Sequence, residues 1–158
     1  MRADGRSVTT LYSLWVLFKE YNVVTDLPSA RKIYASWPTP IVASGFEIGC
    51  AVKFPAVSIE RDFAYVEHHP LREAYCLYRD MPYDREAWDL TSVLYAVRHD
   101  RGYFGLSEPG TIQVDDQGVT RFSPSTAGKH RHLIIDEDQI VRVREALVQL
   151  ASQPPEKR

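Results

Sequence analysis

Three stretches of this chain repeat apolar residues every three to four positions, the period of a helix that buries one face. In residues 26–36, Asp26 suits an N-cap, Pro28 the first turn, and Ala30, Ile33 and Tyr34 share a face. Trp37-Pro38-Thr39-Pro40 ends that helix, because proline disfavours helix at the residue before it. Residues 84–98 predict a second helix, with Trp88, Val93, Leu94 and Val97 toward the core and Asp89 near its start. Residues 137–151 predict a third, with Asp136 and Gln139 spaced as in a capping box and a stripe of Ile140, Val143, Ala146, Leu147 and Leu150. A shorter helix over residues 70–79 opens on Pro70.

Elsewhere the pattern is that of strands. Thr111-Ile112-Gln113-Val114 alternates, Asp115-Asp116-Gln117-Gly118 is turn-forming, and Val119-Thr120-Arg121-Phe122 follows, which predicts a β-hairpin. Residues 40–46, with Ile41-Val42-Ala43-Ser44, read as a buried strand, and residues 132–135 as another. A helix followed by a short apolar strand is the αβ half of a βαβ unit, so the fold class is α/β. Residues 8–18 are mostly apolar without a clear period and suit either a strand or a helix.

Composition narrows the function classes. The 158 residues suit one domain, and 44% hydrophobic with 25% charged residues is enough for a packed core. A net charge of -2 argues against a nucleic-acid partner. The apolar run of residues 11–18, broken by Ser13, falls far short of the ~20 residues a bilayer span needs. No signal-peptide pattern follows the charged first residues. The expectation is a soluble, cytoplasmic protein with no membrane partner. Cys50 and Cys76 stand in no C-x-x-C pair and have apolar neighbours, so both are expected to be buried thiols.

The chain has no dinucleotide fingerprint, phosphate loop, zincin motif or nucleophile elbow. Three features could carry chemistry. Glu20 and Asn22 flank Tyr21; in an extended segment they would point the same way and could grip sugar hydroxyls, or they are ordinary loop residues. Asp89 could bind a metal, yet a carboxylate near a helix N-terminus is favoured without any function, and the adjacent Trp88 could equally be core. His68-His69 and His130-x-His132 lack the helical spacing and cysteine partners of a zinc site, although His130 and His132 would share one side of a strand.

Taken in order, Glu20-Tyr21-Asn22 with Asp26 and Ala30, then Trp37 to Glu47 (WPTPIVASGFE), then Trp88 to Ala96 (WDLTSVLYA), and finally Gly118-Val119-Thr120 resemble the C-terminal half of nucleoside hydrolases, of the bacterial type with a Trp-Asp pair. The resemblance covers residues 19–135. It implies residues 1–18 as a divergent segment, 19–152 as the C-terminal part of a nucleoside hydrolase domain and 153–158 as a tail. The fold it implies is the C-terminal portion of a mostly parallel sheet flanked by helices, with a β-hairpin near the end.

The activity implied is calcium-dependent hydrolysis of the N-glycosidic bond of ribonucleosides, through a transition state resembling an oxocarbenium ion. By the same resemblance Glu20 and Asn22 bind the ribose, Asp89 binds Ca2+, and Trp88 stacks on the base, which favours purine nucleosides. The family's aspartate-rich N-terminal stretch has no counterpart here, and Ser13-Leu14-Trp15-Val16-Leu17-Phe18 stands where a glycine-rich strand end is expected. The resemblance thus implies either a truncated enzyme completed by a homo-oligomer or a complementary N-terminal half, or a catalytically inactive fragment that binds a ligand or oligomerises.

Overall fold

A computed structural model describes residues 19–154. The expected element at residues 8–18 and the end of the tail lie outside the described residues. The chain is mixed α/β and divides into two compact units: the residues up to Glu47 with Gly105–Asp136, and Ile48–Phe104 with the residues from Glu137 on.

The first unit holds helices α1 (Tyr21–Thr25) and α2 (Leu27–Ser36), then strand β1 (Ile41–Ala43). Asp26 caps α2 by accepting from the Ser29 amide at 3.2 Å, and Ser29's hydroxyl and amide together hold its carboxyl below the usual range. Trp37 is extended, so the helix ends where the prolines require. Strand β1 covers only Ile41–Ala43, and Phe46 already begins the next helix, so the strand expected over residues 40–46 is shorter than its apolar run.

Strands β2 (Lys53–Phe54) and β3 (Arg85–Glu86) belong to the other unit, and the sheet of this one is completed by β4 (Gly105–Leu106), β5 (Gly110–Val114), β6 (Thr120–Pro124) and β7 (His130–Ile134). Its order is β1-β7-β5-β6, with β4 beside β7. Only β1 and β7 run parallel; β4–β7, β5–β7 and β5–β6 are antiparallel. The mostly parallel sheet expected from the resemblance is therefore replaced by a mixed one. The cause is connectivity: a hairpin and short returns force antiparallel neighbours, and a parallel pair needs a long crossover.

The hairpin forms as expected. Asp115 Oδ1 accepts from Val119 N at 3.0 Å and Gln117 N at 2.9 Å, bonds that hold its carboxyl below the usual range. Gly118 takes a φ of 82°, open to glycine at little steric cost. Arg31 of α2 reaches the same turn, donating to the Val114 carbonyl at 3.1 Å and pairing with Asp116. Between β4 and β5, Ser107 Oγ accepts from His132 N at 3.0 Å, so a side chain continues the ladder across the break.

The second unit holds most of α3 (Phe46–Ala51), β2 (Lys53–Phe54), α4 (Ala56–Arg61), α5 (Pro70–Tyr78), β3 (Arg85–Glu86), α6 (Trp88–Arg98), a 3-10 turn at His99–Arg101 and α7 (Glu137–Ser152). Strands β2 and β3 form an antiparallel pair, with Lys53 and Glu86 bridged at 3.3 Å. Phe54, Ile59, Phe63, Val52 and Leu94 are buried, and α7 packs against β2 and α6. Its Val143, Ala146 and Leu147 are buried as the stripe predicts, while Leu150 is exposed.

Three expectations are corrected here. Residues 84–98 are not one helix: Arg85–Glu86 pair with β2, and the helix begins only at Trp88. The buried face of α6 is Thr91 and Leu94, whereas Val93 and Val97 are 56% and 68% exposed. Apolar residues lie on both sides of this helix, so its period alone does not select the face that packs. Cys76 is exposed on α5 and Cys50 is half-buried, so neither is the buried thiol expected.

Candidate functional site

Glu20 and Asn22 do meet, though not along a strand. Glu20 is extended at the N-cap of α1, and its Oε2 accepts from Val23 N at 3.0 Å. One turn of helix then folds Asn22 back, and its Nδ2 donates to Glu20 Oε1 at 3.1 Å. The segment is helical from Tyr21, so the alternation that an extended segment would give does not arise, and the Glu20 carboxylate satisfies an orphan amide at the helix start. Both carboxylate oxygens thus hold local bonds, and Asn22 is exposed. The same carboxylate adds, after burial, to what raises the Tyr34 hydroxyl above its ordinary pKa.

Trp88 and Asp89 open α6. Its N-cap, Ala87, supplies no side-chain acceptor, but the Ala87 amide donates to the carbonyls of Val52 at 2.9 Å and Gly49 at 3.3 Å. Thr91, buried, donates its hydroxyl to the Trp88 carbonyl at 2.7 Å. Trp88 remains 36% exposed, and Asp89 is exposed in the first turn, where the helix dipole favours its charge. Trp88 lies against Gly49, a residue that sequence reasoning passed over. The available signal was a glycine inside the apolar run Ile48-Gly49-Cys50.

Calcium takes 6–8 oxygen ligands. Among the described residues no group of three or more His, Cys, Asp or Glu side chains could hold a metal ion. Asp89 therefore belongs to no such group among the described residues.

The histidines have structural partners. His68 Nδ1 is 2.8 Å from Glu73, and His69 caps α5 by accepting from Leu71 N at 3.3 Å while its ring meets Phe63. His130 and His132 share one side of β7 as expected, and both are buried against the hairpin. His130 Nδ1 accepts from Ile112 N, and the His132 ring sits edge-on to Phe122 at 4.6 Å. Burial pushes the pKa of both imidazoles down.

No helix among the described residues is long and apolar enough to cross a membrane. Compared with protein-family models and with curated proteins, the sequence matches none of them.

Proposed function

We propose that this chain binds ribonucleosides and belongs to the machinery of N-glycosidic bond hydrolysis, with purine nucleosides favoured. The observation that carries the reading is the first turn of α6, where an indole with about a third of its surface open stands next to an exposed carboxylate. An aromatic face suits a purine, and such stacking contributes ~1–3 kcal/mol per base in nucleic-acid binders. Asp89 supplies acceptors and a negative charge of the sign that an oxocarbenium-like transition state requires. Glu20 and Asn22 are assigned to ribose hydroxyls by the sequence resemblance.

Binding without turnover is the second reading. It is favoured by the two local bonds on the Glu20 carboxylate and by the lack of a metal-ligand group among the described residues. Ribose release from inosine, adenosine and uridine by the purified chain, with and without millimolar calcium and beside Asp89→Ala, separates the two. Release that needs calcium and is lost in Asp89→Ala supports hydrolysis, with the remaining ligands supplied from outside the described residues. Saturable inosine binding without ribose release supports the second reading. Neither binding nor release ends both.

A further inference from the structure

We propose that Gly49 is the positioning residue for the Trp88 ring, and that through this contact α3 sets the preference for a purine over a pyrimidine; the second clause rests on the nucleoside reading above. Gly49 is buried in the middle of α3, where glycine is a poor helix former and its φ is not positive. Neither the helix nor the backbone conformation explains a glycine there, but the neighbouring ring does. A Cβ at position 49 would overlap Trp88 Cε3 and stand 3.1 Å from both Cζ3 and the Trp88 Cα.

The two backbones are tied together beside this contact. The Ala87 amide, one residue before Trp88, is held by the carbonyls of both Gly49 and Val52. Relief of the Cε3 overlap must therefore come from the indole, which swings away from the seat that α3 provides, while the approach to the Trp88 Cα is met by a backbone shift of a few tenths of an ångström. Cε3 and Cζ3 of the six-membered ring face Gly49, and the residue as a whole is 36% exposed. Moving the ring changes the face offered to a base. A purine, with two fused rings, loses more stacking area than a pyrimidine does.

The test compares the wild type, Gly49→Ala, Trp88→Ala and the double variant. Gly49→Ala is expected to lower the melting temperature clearly more when Trp88 is present than when Trp88 is alanine, because the overlap with the ring is removed and only the close approach to the backbone at position 88 remains. With Trp15 and Trp37 replaced by phenylalanine, Gly49→Ala should red-shift Trp88 emission and increase its quenching by acrylamide. Inosine affinity should fall roughly tenfold and uridine affinity clearly less, as expected for a lost stack.

An equal melting shift in both backgrounds with unchanged emission would overturn the seating role. An inosine-to-uridine ratio unchanged by Gly49→Ala, in a wild type that binds both, would overturn the specificity role. A wild type that binds neither nucleoside would overturn the nucleoside reading, while a melting shift that shrinks when Trp88 is alanine would still establish Gly49 as the seat of Trp88.

Discussion

The imidazole of His130 does the work of a backbone carbonyl: its Nδ1 accepts the hydrogen bond of Ile112 N at 2.8 Å, between two buried residues. Strands β5 and β7 share only the position Gly110↔His130, so this side-chain bond extends their pairing by one step into the hairpin. A nitrogen that accepts cannot also carry a proton, so protonating His130 sets two donors against each other. Tyr34 of α2 meets the same ring at 6.0 Å and is itself kept protonated by burial and then by Glu20.

Stability should therefore fall with acid. Burial lowers the pKa of His130 and His132 from 6.5, so below that pH the unfolded chain takes up protons that the folded chain refuses. Stability from this source is full above 6.5 and is lost progressively as pH falls below it toward the folded values. Melting curves from about pH 8 to about pH 5 should show that decline. His130→Gln, whose amide oxygen can accept without titrating, should flatten it in part. His130→Ala should cost about 1–3 kcal/mol near neutral pH by leaving the Ile112 amide unpaired. An unchanged slope in His130→Gln would remove His130 from the account.

Glu20 has two assignments that mutation can separate. As the cap of α1 it should lose about 1 kcal/mol on change to alanine and little on change to serine, which also caps. As a ribose ligand it should fail in both variants. Denaturant midpoints read the first role and inosine titration the second. A serine variant with wild-type stability and wild-type inosine affinity would leave Glu20 as a cap only.

The face of α6 can be checked with two truncations. Leu94→Ala removes a side chain that is 2% exposed and should cost about 2–5 kcal/mol. Val97→Ala, at a residue 68% exposed, should stay within about 0.5 kcal/mol. A cost at Val97 as large as that at Leu94 would mean that the helix buries the face its apolar period first suggests.

Gly118 closes the hairpin with a positive φ, and a Cβ there would stand 2.6 Å from Val24 Cγ1. Gly118→Ala should cost about 1–2 kcal/mol from the backbone alone, plus whatever Val24 must yield. Adding Val24→Ala should recover the steric part and leave the backbone part. Chemical denaturation of the single and double variants measures both.

What could be read from the chain alone were elements set by short-range bonds. The Asp26 carboxylate caps the amide three residues on, Pro70 opens α5, and Asp115 with Gly118 makes the hairpin turn. Their partners are local, so neighbouring residue types are enough to specify them. Tertiary structure decided the rest: that β1 runs parallel to β7, that Arg85–Glu86 is a strand, which side of α6 is buried, and that Gly49 makes room for Trp88. The placement of Trp88 and Asp89 on one exposed turn follows from their adjacency, but the seat beneath the ring comes from a segment well separated in sequence. Burial is non-directional and rewards any apolar face that finds a partner, so partners distant in sequence, not the local period, select the face and the pairing.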